Sequence, residues 1–488
     1  MALPPRPRKA GAASRTEHDL LGERQVPAAA YYGVQTLRAI ENFRISGVPI
    51  AHYPQLIAAF AYVKKAAARA NHDSDPEAMP RDVLGAIDAA CDELIAGKLL
   101  DQFPVDLFQG GAGTSTNMNA NEVIANRALE HLGKPRGSYD IVDPHDHVNL
   151  AQSTNDAYPT ALKLSVVLAA RTLIPQLEAL VAAFAAKGRE FSGIVKMGRT
   201  QLQDAVPMTL GQEFTAFAQT IADEVKAMRA VGGALCEVNM GGTAIGTGLN
   251  APRGYARRCA RHLAEVTGLP IRLAADLVEA TQDTQAYVMA SSALKSVAIK
   301  LSKVCNDLRL LASGPRCGLQ EIRLPAKQPG SSIMPGKVNP VIPEVVNQVC
   351  FKVIGNDLAV TLAAEAGQLQ LNVMEPVIAQ CLHESIALLR EASRTLRVEC
   401  VEGIEADADR CRWFVENSIG LVTALNPLIG YDRATELAAE ALRSGKGIIE
   451  LVREKGIMSE REIARALDPK AMTAASPPRR RAAGRTRR

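Results

Sequence analysis

The chain has 488 residues, which is enough for two or three domains and a large hydrophobic core. Apolar residues make up 47% and aromatic residues 4% of the sequence, a balance that favours helices packed on helices over sheets. Nine cysteines are scattered without a C-x-x-C pair, which indicates a reducing compartment, the cytoplasm, and excludes a disulfide framework. No apolar N-terminal segment and no bilayer-length apolar run stands out, so we expect a soluble protein that is not exported.

Basic charge is concentrated at the two ends of the chain. Residues 1–15 and 476–488 together hold ten Lys and Arg residues and no acid, so that leaving them out changes the formal charge from +4 to −6. Both segments are rich in Pro, Ala, Gly and Arg, and we predict that they are disordered tails. Such tails can contact nucleic acid or anionic membranes. Solvated tails are the simpler interpretation, so we expect no membrane partner and no specific nucleic-acid partner.

Between the tails, the helical pattern changes along the chain. Residues 16–155 mix short helical patterns with turns and predict an N-terminal domain. Residues 156–409 contain long apolar stripes at helical spacing, with further helical runs near 343–366 and 376–397, and predict a central bundle of five long helices. Residues 410–475 predict a small C-terminal domain of shorter helices. The stripes are Leu173, Leu177, Leu180 and Phe184; Phe214, Phe217, Ile221, Val225 and Met228; and Leu294, Val297, Leu301, Val304, Leu308 and Leu311. The fold class is therefore all-α.

Four polar segments, three of which contain glycine, interrupt this helical pattern, at residues 110–122, 147–156, 198–208 and 330–340. The last one, GSSIMPGKVNP, places two hydroxyls, an amine and an amide in a loop between two predicted helices. Loops on a rigid scaffold commonly carry function. Any one of the first three segments alone is typical of helix caps and turns, because Ser, Thr and Asn are frequent at helix starts.

Two other motifs point to sites that we do not expect. The triplet His145-Asp146-His147 has no further placed ligands, so we predict no metal site there. The stretch from Gly330 to Lys337 faintly resembles a phosphate-binding loop. Its glycines have five residues between them instead of four, and Val338 stands where Ser or Thr would hold magnesium. We therefore exclude a nucleotide-binding loop.

Taken together and in this order, the four segments resemble those that define the aspartase/fumarase superfamily of lyases. The resemblance covers about residues 17–470 and includes the spacer sequences. Residues 101–106 (DQFPVD) and 367–376 (GQLQLNVMEP) are similar to the branch that eliminates ammonia from aspartate. Fumarases carry His where this chain has Gln201. An imidazole can activate water, whereas a Gln amide cannot take a proton but can hydrogen-bond an amino group. Gly336 is the one residue that resembles the fumarases more, since several aspartases have Ala at this position.

The resemblance implies a three-domain, all-α fold whose central five-helix bundle merges into the helical core of a homotetramer, with each active site shared between subunits. It implies reversible deamination of L-aspartate to fumarate and ammonium through an enediolate, the aci-carboxylate intermediate. It implies no required cofactor, while a divalent cation such as Mg²⁺ activates some relatives. Ser331 is the implied base, and a serine needs a stabilised alkoxide to act as one.

The remaining implied roles concern substrate binding. Donors at the β-carboxylate, ligands of the α-carboxylate and residues around the amino group form three sets. By resemblance these are Thr114, Ser153, Thr154 and Ser332 for the β-carboxylate, Lys337 and Asn339 for the α-carboxylate, and Asn155, Thr200 and Gln201 for the amino group.

Three alternatives stay open at this point. A fumarate hydratase is favoured by Gly336 and disfavoured by Gln201. A non-catalytic helical scaffold is disfavoured because Ser331, Lys337 and Asn339 are present. A role in nucleic-acid association would rest on the Arg-rich tails alone.

Overall fold

A computed structural model describes residues 13–468. Of the tails predicted at 1–15 and 476–488, the first twelve residues and the whole second segment lie outside the described residues. Residues 14 and 15 differ from the prediction, because they begin strand β1 (Ser14–Asp19), which pairs antiparallel with β2 (Gly22–Pro27). Arg15 donates to the Glu17 carboxylate at 2.7 Å and to the carbonyl of Ala30. These hydrogen-bond acceptors fix the side chain of this basic residue.

The N-terminal segment continues as helices. These are α1 (Val34–Asn42), α2 (Pro54–Ser74), α3 (Arg81–Ile95) and α4 (Thr114–His131), followed by one π-helical turn (Pro144–Val148). The alanine-rich helix α2 is buried along most of its length. Its Lys65 reaches Asp92 of α3 at 2.7 Å, one turn before Arg69 pairs with Asp88.

Five long helices form the middle of the chain, as predicted. They are α5 (Thr154–Glu190), α6 (Leu210–Gly232), α9 (Gln285–Leu311), α10 (Val341–Glu365) and α11 (Glu375–Glu399), with the shorter α7 (Tyr255–Thr267) and α8 (Leu277–Gln282) between α6 and α9. The predicted apolar stripes of α5 and α9 are buried throughout, and that of α6 is buried up to Val225. Helical periodicity therefore located the core faces correctly.

The described residues group into two compact units. The first holds the residues up to Gln176, Asp223–Ile299 and Gln348–Ala392; the second holds Leu177–Ala222, Lys300–Asn347 and the residues from Ser393 onward. Each of the five long helices contributes residues to both units. The predicted division into 16–155, 156–409 and 410–475 stays a prediction.

Interhelical contacts hold each unit together internally. In the first unit, the Ser165 hydroxyl of α5 lies 2.8 Å from Nε2 of His383 in α11. In the second unit, the ring of Phe184 in α5 packs against those of Phe214 and Phe217 in α6. Apolar stripes and buried polar pairs therefore both connect neighbouring long helices.

Short helices end the described chain and pack on a β-hairpin. They are α12 (Ala408–Asn417), α13 (Leu421–Ile429), α14 (Tyr431–Ser444), α15 (Ile448–Glu454) and α16 (Glu460–Ala466). Strands β3 (Val195–Thr200) and β4 (Gln203–Thr209) form the hairpin, and Met197 of β3 is fully buried in the apolar core of these helices. The other strands are the two-residue pairs β5 (Glu237–Val238) with β6 (Arg272–Leu273) and β7 (Ile322–Arg323) with β8 (Glu405–Ala406). The all-α prediction is confirmed, since strands are confined to these small pairs in the described residues.

Helix α5 is the one described helix that is long and apolar enough to cross a membrane by length and composition. Lys163, Arg171 and Glu178 interrupt its apolar sequence, so the expectation that no uncharged apolar run is long enough to cross a bilayer stands. A core helix of a soluble protein passes the same test, and four apolar side chains of α5, from Leu173 to Phe184, are fully buried.

Candidate active site

The first predicted segment forms the start of helix α4. Gly113 is the N-cap residue with φ +87°, and a Cβ there would lie 2.1 Å from Cδ2 of the buried Tyr158 ring. Only glycine combines this backbone conformation with such a close approach. Thr114 follows as the first helical residue and is exposed, with its hydroxyl donating to the carbonyl of Gly111 at 2.7 Å. Its backbone N–H and hydroxyl thus lie at a helix N-terminus.

The second segment forms the start of helix α5. Ser153 precedes the helix, and its hydroxyl accepts from the backbone N–H of Asn155 at 3.2 Å. The Asp156 carboxylate in turn accepts from the N–H of Ser153 at 2.9 Å. The capping interpretation of this segment is therefore correct for Ser153. Capping leaves Ser153 and Thr154 at the positive end of the helix dipole, where carboxylates bind favourably.

The two helix starts meet each other. The Asn117 amide of α4 donates to the Thr154 hydroxyl of α5 at 3.3 Å, and Tyr158 of α5 lies against Gly113. Two helix N-termini and the hydroxyls of Thr114, Ser153 and Thr154 are thereby gathered in one region of the first unit. Such an arrangement suits a small anionic ligand.

Asn155 is held in one orientation by a loop that the sequence analysis missed, residues 239–250. Its Nδ2 donates to the carbonyl of Ala244 at 2.7 Å, so Oδ1 remains as the hydrogen-bond acceptor. The Asp156 carboxylate accepts from the N–H groups of Gly241 and Thr243, each at 3.0 Å. A signal was available: four glycines occur within residues 241–248, which is typical of backbone that approaches other groups closely.

A buried polar network fixes the residues that lead into α5. The ammonium of Lys64, which is fully buried, donates to the side-chain oxygens of Asn149 and Gln152, each at 2.9 Å. Burial lowers the pKa of Lys64 to about 7. Burial also raises the pKa of Asp156 to about 6, although the hydrogen bonds from Ser153, Thr243 and Gly241 act to lower it. Few charged side chains are buried this completely without a structural or functional reason.

The triplet His145-Asp146-His147 lies in the π-helical turn and is used in local hydrogen bonds. Nε2 of His145 lies 2.6 Å from the Gln35 amide, and Nδ1 of His147 accepts from the N–H of Asp143. Among residues 13–468, no group of three or more His, Cys, Asp or Glu side chains is placed to hold a metal ion.

The third segment forms the β3–β4 hairpin, and its tip is strained. Gln201 and Leu202 connect the strands with φ values of +54° and +61°. A two-residue turn of this kind usually uses Asn and Gly, because a positive φ is costly for other residues. Thr200 ends β3 directly before this tip. Strained backbone clusters at functional sites, and the substrate contacts of Thr200 and Gln201 stay a prediction.

The fourth segment is a loop closed on itself. The N–H of Gly330 donates to the carbonyl of Lys337 at 2.7 Å, and the Asn339 amide donates to the carbonyl of Gly330 at 2.8 Å. A Cβ at Gly330 would lie 2.6 Å from that Lys337 oxygen. The Ser331 hydroxyl accepts from the N–H groups of Ile333 at 3.2 Å and Met334 at 3.0 Å. Ser332 and Lys337 are exposed.

The predicted site residues therefore fall into two groups. Thr114, Ser153, Thr154 and Asn155 belong to the first unit, where the structure brings them together; Thr200, Gln201, Ser331, Ser332, Lys337 and Asn339 belong to the second. Their individual roles toward substrate stay predictions.

Comparison with known proteins identifies the family. A family model described as lyase matches residues 22–355, and a model described as fumarase C C-terminus matches residues 421–474. Aspartate ammonia-lyase of Pseudomonas aeruginosa is 60% identical over 95% of this chain and 98% of its own. The crystal structure of fumarate lyase:delta crystallin from Brucella melitensis bound to cobalt is 55% identical, with a TM-score of 0.92 over 95% of this chain and 100% of its own. Recombinant class II fumarase from Schistosoma mansoni is 35% identical, with a TM-score of 0.87 over 94% and 99%. The chain belongs to this lyase family, the aspartase/fumarase superfamily.

Proposed function

We propose that this chain catalyses the reversible deamination of L-aspartate to fumarate and ammonia. One observation carries the proposal: at the start of α5, hydroxyls at the positive end of the helix dipole, which suit a carboxylate, lie next to Asn155, whose Oδ1 is an acceptor that suits an amino group. The 60% identity to an aspartate ammonia-lyase supports it.

The chemistry begins with removal of a weakly acidic proton from Cβ of aspartate. The electron pair of the Cβ–H bond moves onto the β-carboxylate as an enediolate, then returns to form the C=C bond as the C–N bond breaks and ammonia leaves. Donors fixed where the enediolate charge develops are worth ~3–4 kcal/mol each. We assign this role to Thr114, Ser153 and Thr154, joined by Ser332 from loop 330–340.

Ser331 is the proposed base. Its hydroxyl already accepts two backbone N–H bonds from Ile333 and Met334, and the same donors would stabilise the alkoxide. Lys337 and Asn339 of this loop are assigned to the α-carboxylate, with Lys337 supplying the charge. Asn155, Thr200 and Gln201 are assigned to the amino group.

The alternative reaction, hydration of fumarate to malate, is not favoured. The fumarase from Schistosoma mansoni is 35% identical to this chain, against 60% for the aspartate ammonia-lyase from Pseudomonas aeruginosa. Gln201 cannot take a proton from water. The other residue of the turn, Leu202, has no titratable side chain that could do so instead.

We propose a homotetramer with active sites shared between subunits. Helix α10 carries large apolar side chains on one exposed face, namely Phe351, Leu358 and Leu362, each more than 60% exposed. Contiguous apolar surface of this kind is typical of subunit interfaces. The mass in solution should be about 208 kDa, four times 52.1 kDa. Specific activity should fall on dilution below the assembly constant, and a monomeric mass with constant specific activity would refute the proposal.

We further propose that the protein is cytoplasmic and that the reaction needs no cofactor, with Mg²⁺ as an activator. Activity should persist in the presence of a chelator and rise on addition of Mg²⁺. Complete loss of activity in chelator, restored by a metal ion, would contradict this.

The deciding experiment is product identification. The purified full-length protein is incubated with fumarate, once with ammonium and once without. Aspartate formed only with ammonium is the expected result. Malate formed in both reactions would refute the ammonia-lyase proposal and the amino-group roles of Asn155, Thr200 and Gln201.

A further inference from the structure

Glu321 is a fully buried carboxylate that the proposed reaction does not use. It lies in the second unit, directly before strand β7. Its two oxygens are divided between two cations of strand β3: Lys196 at 2.8 Å and Arg199 at 2.8 Å. Lys196, itself 2% exposed, also contacts Glu213 of α6 at 2.6 Å. A carboxylate buried this deeply is costly unless it is paired.

The backbone of Glu321 is fixed as firmly as its side chain. Its N–H donates to the carbonyl of Leu311 at the end of α9, and its carbonyl accepts from the N–H of Asp407 before α12, each at 2.9 Å. The thiol of Cys411 in α12 lies 3.6 Å from the same carbonyl. The backbone of Glu321 is therefore hydrogen-bonded to residues next to α9 and α12, and its side chain connects the hairpin to them.

Arg199 links Glu321 to the strained end of the hairpin. Arg199 directly precedes Thr200 and lies where the β3–β4 register shifts. Its guanidinium also stacks over the Phe414 ring of α12, 4.9 Å from the centroid. On the other strand, the Ser418 hydroxyl donates to Asp204 at 2.6 Å. These contacts flank the turn on both sides.

The two residues of the hairpin tip, Gln201 and Leu202, are exposed. Leu202 is 70% exposed although both tip residues have a positive φ. A strained backbone of this kind persists only where the surrounding structure over-determines it. Because the tip is exposed, that constraint must come from the residues at its base, which are Arg199 and Asp204.

We propose that Glu321 is a positioning residue that, through Arg199, holds Thr200 and the tip residue Gln201 in the conformation that receives the substrate amino group. This inference rests on the proposed function and extends it to a residue outside the substrate-contacting set. Since the tip serves the amino group alone, loss of the anchor should affect ammonium more than fumarate.

The test uses the reverse reaction of the full-length protein, with ammonium and fumarate varied separately. Glu321→Gln keeps the shape and removes the charge; Arg199→Met removes the other partner. Glu213→Gln is the matched control, because it removes the second carboxylate on Lys196 without touching Arg199. We expect the KM for ammonium to rise ~10-fold or more in the first two variants, with the KM for fumarate within ~3-fold. Both should stay within ~3-fold in the control.

A second change separates positioning from general stability. Glycine adopts a positive φ without strain, so Leu202→Gly should make the tip less dependent on its anchor. Added to Glu321→Gln, it should recover at least ~3-fold of the lost ammonium KM, and alone it should leave both KM values within ~3-fold. If Glu321→Gln does not fold, the same comparison is made with Arg199→Met and with Ser418→Ala, which removes the partner of Asp204 on the other strand.

The outcomes are distinct. Equal changes in both KM values, a control variant that behaves like Glu321→Gln, or no recovery with Leu202→Gly would overturn the positioning role. Failure of the unaltered enzyme to form aspartate would instead refute the proposed function. A selective ammonium defect with recovery by glycine supports the inference.

Discussion

Three glycines near the start of α4 allow backbone strain and steric clash to be measured separately. Gly110 has open space at its Cβ position and no left-handed backbone. Gly111 has φ +85° with its nearest neighbour at 3.8 Å, whereas Gly113 has φ +87° and would place a Cβ 2.1 Å from the Tyr158 ring. Alanine should therefore cost within ~0.5 kcal/mol at Gly110 and ~1–2 kcal/mol at Gly111. At Gly113 the clash adds ~1–3 kcal/mol to the same strain, giving ~2–5 kcal/mol in total.

The assay is urea unfolding of the three variants, followed by far-ultraviolet circular dichroism at one fixed protein concentration, because assembly changes apparent stability. The urea concentration at the unfolding midpoint should be highest for Gly110→Ala, lower for Gly111→Ala and lowest for Gly113→Ala. Since Thr114 follows Gly113 directly, the last variant should also lose substrate affinity. The reasoning is refuted if Gly113→Ala is as stable as Gly111→Ala, because the close approach to Tyr158 would then cost nothing.

Further predictions concern loop 330–340 and the buried His383. Ser331→Ala should lower turnover by ~100-fold or more while leaving aspartate binding and the melting temperature near those of the unaltered protein; near-normal turnover would remove Ser331 as the base. Lys337→Ala should mainly abolish binding, so an unchanged apparent affinity in a substrate titration would contradict its assignment to the α-carboxylate. Burial lowers the pKa of His383 to about 4, against about 6.5 in the unfolded chain, so the unfolded state binds more protons in this window. Stability should therefore be fully present above pH ~6.5 and fall by up to about 3 kcal/mol as the pH drops through ~4. His383→Gln should flatten this part of the stability profile measured by urea unfolding, and an unchanged slope would show that other groups cause it.

The long helices were the most predictable part of the fold. Runs predicted near 343–366 and 376–397 became Val341–Glu365 and Glu375–Glu399. Apolar periodicity over several turns leaves few alternatives to a helix, and a proline near each start marks its beginning. The strand at Ser14 was missed because its order comes from contacts of Arg15 with distant carbonyls, which local composition does not reveal.

The candidate site was predictable only where polar residues stand together in one segment. Loop 330–340 and the starts of α4 and α5 were found in this way. The orientation of Asn155 by Ala244 and the attachment of Arg199 to Glu321 join residues 89 and 122 positions apart. A single sequence shows such residues without showing that they meet.

Loop 330–340 carries its own hydrogen-bond donors for Ser331. Both N–H groups that reach the hydroxyl come from residues two and three positions later, and the Gly330–Lys337 bond closes the segment. The two hydrogen bonds that this hydroxyl accepts are therefore formed entirely within eleven consecutive residues. Both donors are backbone groups, so substitution of their side chains leaves them in place, whereas an inserted or deleted residue between Ser331 and Met334 would shift both N–H groups relative to the hydroxyl. In this segment, length is under tighter constraint than composition.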